Sequence, residues 1–205
     1  MRLNVMMCSG FKTFGYVFVL MVSIVLTGPA FADNERRGLD LIGTGQTQAA
    51  VKAWQRGVEH GDAGAAYRLG VYYLSDAGGA RDVHKALTLL DKSAQMGDPR
   101  AELAMGQIYD QGELVDRDAG LAAAMFSRAA EKGLVAAQFA YAQKLELGDG
   151  VPRDQETAYM YYLLSMKDNF ATPALAGINR LEQKLTKPSK DAAVRAARDF
   201  VSKSY

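Results

Sequence analysis

The chain has 205 residues, of which 49% are hydrophobic and 23% are charged, a composition typical of a folded chain rather than a disordered one. This length suffices for one ordinary domain or a short repeat array. The formal net charge of +1 at pH 7 gives little long-range attraction for phosphate groups, which argues against nucleic acid as a ligand.

The first 32 residues have the pattern of a secretory signal peptide. Lys12 closes a basic segment, and residues 14–27 carry no charge. Ala30-Phe31-Ala32 supplies the small residues that a signal peptidase requires before Asp33. We therefore expect cleavage after Ala32 and export, to the periplasm of a Gram-negative bacterium or to the medium. An uncleaved membrane anchor is the alternative, because no charged residue lies between Lys12 and Asp33 and roughly 19 residues can nearly span a bilayer.

Cys8 is the only cysteine of the chain. It precedes the apolar run, whereas a lipoprotein cysteine would follow it. Cleavage after Ala32 would leave no thiol, which excludes disulfides, thiolate metal sites and cysteine nucleophiles from the mature chain. Cleavage would also remove Arg2 and Lys12, leaving 22 Lys+Arg against 23 Asp+Glu and a net charge of −1.

A 36-residue repeat occupies residues 62–169, with units that begin at Asp62, Asp98 and Leu134. Small, large apolar and acidic residues each recur at fixed positions of the unit. The recurring sets are Ala65, Ala101 and Ala137; Gly70, Gly106 and Ala142; Tyr73, Tyr109 and Leu145; Asp82, Asp118 and Asp154; Ala86, Ala122 and Ala158; and Leu90, Phe126 and Tyr162. So many matches at one spacing indicate tandem structural units.

Each unit has the pattern of two helices. The apolar residues of Ala65–Tyr73 fall on one face of a helix with 3.6 residues per turn. A glycine-containing loop leads to the recurrent aspartate, such as Asp118, which we expect to cap the second helix by accepting its free N–H groups. Gly97 and Gly133 are suited to the left-handed turn that ends a helix. Small residues such as Gly106 should let the two helices approach closely.

These residues resemble the Sel-one-like repeat, a relative of the tetratricopeptide repeat. The pattern is Ala101…Met105-Gly106…Tyr109…Gly112, then Asp118…Ala122…Phe126…Ala129-Ala130…Gly133, and the loop Gly148-Asp149-Gly150-Val151-Pro152-Arg153-Asp154 of the third unit. The resemblance implies an all-α fold, a right-handed α-α superhelix built as a solenoid of antiparallel helix pairs. The third unit departs from the family, with Ala142, Leu145 and Asn169 in place of Gly, Tyr and Gly.

Two further segments flank the three clear repeats. Residues 33–61 have the pattern of a divergent N-terminal repeat, in which the recurrent positions are held by Ala50, Trp54 and Gly61. Residues 170–205 lose the repeat register and are expected to form a helical cap, apolar inward and polar outward. Two helices are predicted there, separated by Lys187-Pro188: Pro173–Leu185 and Ser189–Ser202.

Stacked helix pairs form a concave face of the kind that binds peptides and folded proteins. By periodicity, six residues of the first helices should line it: Arg68, Tyr72, Gln107, Gln111, Gln143 and Lys144. The family resemblance implies an exported adaptor or scaffold that serves envelope signalling, secretion or assembly. We therefore expect a protein or peptide partner in the cell envelope, no cofactor, no metal and no enzymatic activity.

The candidates for catalysis are His60 and His84, at non-equivalent positions of the repeat and outside any known metal or nucleophile motif. A surface role is favoured for both. The acidic loops do not have the spacing of a calcium loop, and residues 159–162 have the spacing of core aromatics. The alternative function is a hydrolase acting on β-lactams or peptidoglycan, as proposed for cysteine-rich relatives whose paired cysteines this chain lacks.

Overall fold

The computed structural model describes residues 32–75 and 81–203, so the predicted signal peptide, apart from Ala32, and Cys8 lie outside the described residues. The described residues form ten α-helices and one 3₁₀ helix, without a strand. The α-helices are α1 Ala32–Gly43, α2 Thr47–Glu59, α3 Ala63–Leu74, α4 Val83–Gln95, α5 Pro99–Gln111, α6 Ala119–Glu131, α7 Val135–Leu147, α8 Gln155–Leu164, α9 Ala171–Glu182 and α10 Lys187–Lys203; the 3₁₀ helix is Asp168–Phe170. Consecutive helices from α1 to α9 pack against each other. The predicted all-α solenoid of helix pairs is confirmed.

The recurrent aspartate caps the second helix of each clear repeat, as predicted. The Asp118 carboxylate accepts a backbone N–H from the first turn of α6 at 2.9 Å, and Asp82 and Asp154 do the same for α4 and α8. Two further aspartates, Asp62 and Asp98, cap the first helices α3 and α5. Each cap satisfies backbone donors that a helix end otherwise leaves free.

The chain reverses within each unit through the same backbone contact. The N–H of Asp118 donates to the carbonyl oxygen of Tyr109 at 2.9 Å, and the equivalent bonds in the other two units measure 2.9 and 3.0 Å. The glycine turns predicted after the second helices are also present, with φ of 95° at Gly97 and 84° at Gly133. The third unit differs because α8 ends at Leu164, three residues before the position equivalent to the end of α6, and Asn169 lies in the 3₁₀ helix.

The two helices of a unit meet where a large side chain packs on a glycine backbone. Phe126 of α6 lies over Gly106 of α5, so closely that a β-carbon on Gly106 would be 2.6 Å from the Phe126 ring. Leu90 over Gly70 is the equivalent pair 36 residues earlier, and Trp54 packs in a similar way on Gly38, although the equivalent position in its unit is Asn34. The large members recur every 36 residues and are buried. The predicted close approach at Gly106 is confirmed.

The C-terminal helices have other bounds than predicted. Helix α9 begins at Ala171 and ends at Glu182, so Leu185 lies beyond it. The predicted separator Lys187-Pro188 instead forms the first turn of α10, where proline is favourable because its missing N–H needs no partner. Both helices pack chiefly against α8. That they cap the solenoid stays a prediction. None of the helices in the described ranges is long and apolar enough to cross a membrane.

Gly106→Leu should destabilise the fold by about 3 kcal/mol, because the added side chain enters the Phe126 contact, which has no cavity to receive it. Thermal unfolding followed by circular dichroism should show a melting temperature lower by about 6–12 °C. Gly120→Ala is the matched control, because a β-carbon there has no neighbour closer than 3.5 Å. Its melting temperature should be unchanged or slightly raised. Equal melting of Gly106→Leu and the unaltered protein would contradict the packing described above.

Candidate functional site

The first helices α3, α5 and α7 present equivalent residues on one side of the solenoid. In α7 this stripe follows the spacing of a single helix face. The equivalent residues lie 36 positions earlier in α5 and 72 positions earlier in α3. We call this surface the first-helix face; its members are Gly64, Arg68 and Val71 in α3 with Ser75 directly after it, Arg100, Ala104, Gln107 and Gln111 in α5, and Ala136, Ala140, Gln143 and Leu147 in α7.

A pocket of about 380 Å³ opens on this face between α5 and α7. We call it the α5–α7 pocket. Three aromatic rings contribute to it: buried Phe126 and half-buried Phe139 and Phe170. Phe170 comes from the 3₁₀ helix, and its ring centroid lies 5.5 Å from that of Phe139. Leu147 stands at the rim with 73% of its surface exposed. The pocket therefore combines aromatic and aliphatic surface with polar groups, and it is open to solvent.

The amides of Gln107 and Gln143, two residues predicted to line the groove, are brought together at this pocket. Both are exposed and both line it. They occupy equivalent positions in adjacent repeats, so the solenoid places them side by side. Gln111 is exposed on the same face but does not line the pocket. Whether these residues contact a partner stays a prediction.

Tyr72 is a correction, because the structure buries it in the core beside Trp54. Tyr72, Ile108 and Lys144 are equivalent residues of the repeat, and each is 8% exposed or less. Each directly follows an exposed residue of the first-helix face: Val71, Gln107 or Gln143. Because successive residues of a helix are rotated by about 100°, these three side chains point away from that face and into the core. Arg68 does lie on the first-helix face, but its Nε donates to Glu35 at 2.9 Å.

Lys144, which was also predicted on the concave face, is a second correction: only 7% of it is exposed, at a position where the other repeats have apolar core residues. Its ammonium group donates to Asp110 of α5 and, at 2.7 Å, to Asp149 in the loop after α7. Arg117 donates to the same Asp149 oxygen at 2.6 Å. The hydrogen bonds from Lys144 and Arg117 hold the pKa of Asp149 below its usual range. A buried ammonium group needs such partners, and these partners join two adjacent repeats.

Arg180 of α9 repeats this contact one unit further along. It follows Lys144 by 36 residues, and it donates to Glu146 at 3.0 and 2.8 Å. Glu146 in turn follows Asp110 by 36 residues and also accepts the Tyr162 hydroxyl at 2.7 Å. The Arg180 guanidinium is the main cause that lowers the pKa of Glu146. Helix α9 thus occupies the place of a further first helix. This was not predicted, because the repeat pattern is lost after Asn169.

At the N-terminal end, the carboxylate of Glu35 bridges two arginines of the first-helix face. It accepts hydrogen bonds from Arg100 at 2.6 and 3.0 Å and from Arg68 at 2.9 Å. Asp98 also pairs with Arg100, at 2.7 Å. The bridge packs closely on Gly64, where a β-carbon would lie 1.9 Å from a Glu35 oxygen and would require the Glu35 side chain to shift. Arg100 holds the pKa of Glu35 below its usual value.

The candidate catalytic residues lie apart from the α5–α7 pocket lining. His60 and His84 are exposed, and His60 Nδ1 lies 2.6 Å from the carbonyl oxygen of Arg56 in its own helix. Within the described ranges, no three His, Cys, Asp or Glu side chains are grouped to hold a metal ion. Residues 159, 161 and 162 are buried tyrosines, as their spacing predicts, and burial raises the pKa of Tyr161 to about 12.

Comparison with known proteins agrees with this architecture. A model of the Sel1 repeat family matches residues 63–98, 99–134 and 135–166, about half of the chain. The chain belongs to the Sel1 repeat family. The matched Sel1 repeats keep the 36-residue spacing and begin one residue later than the register read from the sequence. The resemblance to Sel-one-like repeats is therefore confirmed.

Two solved structures are similar to this Sel1 repeat chain. A Sel1 repeat protein from Oxalobacter formigenes is 28% identical with a TM-score of 0.55, over 63% of this chain and 95% of that protein. A protective antigen of uropathogenic Escherichia coli strains, which displays an SLR fold, is 22% identical with a TM-score of 0.50. That alignment covers 85% of this chain and 46% of the antigen, so this chain spans less than half of its length. No curated protein sequence matches the chain.

Glu146→Gln should lower the melting temperature at pH 7, by an amount equivalent to about 1 kcal/mol, because a neutral amide binds the half-exposed Arg180 more weakly. The folded-state pKa of Glu146 is lowered from 4.5, so this stabilisation is present above pH 4.5 and is lost as the pH falls through the lowered pKa. The difference between the two proteins should therefore narrow in acid. Melting curves between pH 7 and pH 3 test this, with Glu113→Gln, an exposed loop residue, as the control. A difference that is constant with pH would contradict the ion pair.

Proposed function

We propose that this Sel1 repeat protein is an interaction scaffold of the cell envelope, which binds a protein or peptide through its first-helix face. Sel1 repeat proteins generally bind protein partners. The observation that carries the proposal is the α5–α7 pocket, which lies on this face and combines aromatic rings with two exposed amides. Stacked helix pairs characteristically bind partners along such a surface.

The charged residues beside the pocket support a role in binding rather than in catalysis. Asp110 and Lys144 both line the pocket, but they are bound to each other. Lys144 is also held by Asp149 at 2.7 Å, so its ammonium group serves to join adjacent repeats. Sel1 repeat proteins are typically non-catalytic scaffolds, and this arrangement fits that description.

The cell envelope is proposed on the basis of the N-terminal pattern. An apolar run followed by Ala30-Phe31-Ala32 is what a secretory signal peptide requires before its cleavage site. The partner would then be an envelope or exported protein that meets the scaffold after translocation.

The cleavage can be tested by expressing the full chain in a Gram-negative host and sequencing the N-terminus of the protein from the periplasmic fraction by mass spectrometry. We expect a mature chain that begins at Asp33. Recovery of the protein in the membrane fraction with Met1 intact would support the uncleaved anchor and contradict periplasmic release.

Binding can be tested by placing a photoreactive phenylalanine derivative at Gln107 or Gln143 in the exported protein. Irradiation of cells should give a discrete adduct from both positions, and mass spectrometry should identify the same partner in each. Ala124, which is exposed on the second helix α6, is the matched control and should not give that adduct. The partner, once purified, should bind the unaltered protein directly. Identical adducts from all three positions, or none from Gln107 and Gln143, would count against the first-helix face.

A further inference from the structure

We infer that the α5–α7 pocket takes a large apolar side chain from an extended peptide segment, while the amides of Gln107 and Gln143 hold the backbone on either side of it. This inference rests on the proposed function and adds the chemistry of the partner. It follows from four properties of the pocket: its six apolar lining residues, its paired charges, its volume and the placement of its amides.

The lining favours an apolar occupant. Phe139 packs against both Phe170 and Tyr162, with ring centroids 5.5 and 5.8 Å away, and these aromatic contacts restrain its ring. Ala140, which is small and half-buried, lines the pocket together with Phe139. Leu147 at the rim exposes 73% of its surface. Covering these surfaces with an apolar side chain removes them from water, which stabilises the complex.

The charges at the pocket do not favour a charged occupant. Asp110 and Lys144, the charged residues that line it, are bound to each other. Asp149 completes the pairing by accepting from Lys144 at 2.7 Å and from Arg117 at 2.6 Å. A charged side chain that entered would lose its hydration without gaining an uncommitted opposite charge. The complementary occupant is therefore neutral.

The volume limits the occupant to one large side chain with its adjoining backbone. The pocket measures about 380 Å³, near the lower end of the range of about 300–1,000 Å³ in which proteins bind small ligands. A bulky aromatic or aliphatic side chain fits this space, whereas a folded partner would reach it only through a protruding segment. An extended segment meets this requirement.

The two amides suit a peptide backbone. Each carries one acceptor oxygen and two N–H donors, which match the alternating N–H and C=O groups of an extended chain. Both amides line one pocket of about 380 Å³, a volume roughly 9 Å across, and an extended chain covers this distance in about three residues at 3.3 Å each. Gln107 and Gln143 therefore contact backbone groups about three residues apart, with the inserted side chain between them.

The test uses three blocked pentapeptides: acetyl-Ala-Ala-Phe-Ala-Ala-amide, and the same peptide with Asp or Lys in place of Phe. Each is titrated into the ¹⁵N-labelled protein while the side-chain amide signals of Gln107 and Gln143 are followed by NMR. The Phe peptide should shift both signals and bind at least about tenfold more tightly than the Asp and Lys peptides. Equal binding of the three peptides, shifts centred elsewhere, or no saturation of the Phe peptide by about 10 mM would overturn the inference.

Variants separate the two parts of the site. Ala140→Leu fills the pocket and should remove the preference for Phe, whereas Gln143→Ala should weaken all three peptides by a similar factor. Ala124→Leu, on the second helix α6, is the control and should bind as the unaltered protein does. Circular dichroism is used to check that each variant is folded. Because Gln143 is exposed, Gln143→Ala should fold, and it tests the inference even if Ala140→Leu does not fold.

The outcome also distinguishes this inference from the proposed function. Loss of the Phe preference together with a specific Gln107 adduct in cells would overturn the pocket chemistry and leave the scaffold in place. Absence of both the adduct and peptide binding would overturn both.

Discussion

The packing of a large side chain on a glycine backbone is the contact on which the rest of this structure depends. Phe126 over Gly106 brings two helix backbones closer than any side chain larger than hydrogen would permit at that position. Leu90 over Gly70 is the same contact 36 residues earlier, and Trp54 packs on Gly38 in the preceding helix pair, so these units have a similar geometry. Equal units stack with their first helices on one side, and this stacking creates the first-helix face.

Because the units stack regularly, equivalent residues of successive repeats form a row, either on the surface or in the core. Gln107 and Gln143 share one such row and meet at the α5–α7 pocket. Lys144 belongs to the neighbouring buried row, where a charge is tolerated because carboxylates from the previous unit and the following loop reach it. The same stacking therefore supplies both the exposed amides of the site and the ion pairs that fix the helices beneath them.

The sequence predicted features set by local backbone requirements better than features set by packing between helices. Asp118 as a cap and Gly133 as a turn were predictable because each satisfies a local backbone requirement. Burial of Tyr72 was not, because the apolar stripe of a helix is wide and its edge cannot be assigned from one sequence. Phe170 completes the pocket from outside the repeat register, and the pairing of Glu146 with Arg180 depends on stacking rather than local spacing.

The Glu35 bridge gives the N-terminal helix pair an influence on the surface of the second repeat. In a solenoid each unit mainly contacts its neighbours, and its ends open first. Glu35 nevertheless reaches Arg100, two first helices away. If α1 frayed, Arg68 would lose its carboxylate, and Arg100 would keep Asp98 and its contact with the Tyr67 ring. The neutral charge of this end of the first-helix face therefore depends on the folding of α1, so local opening of the N-terminus would give partners a more basic surface.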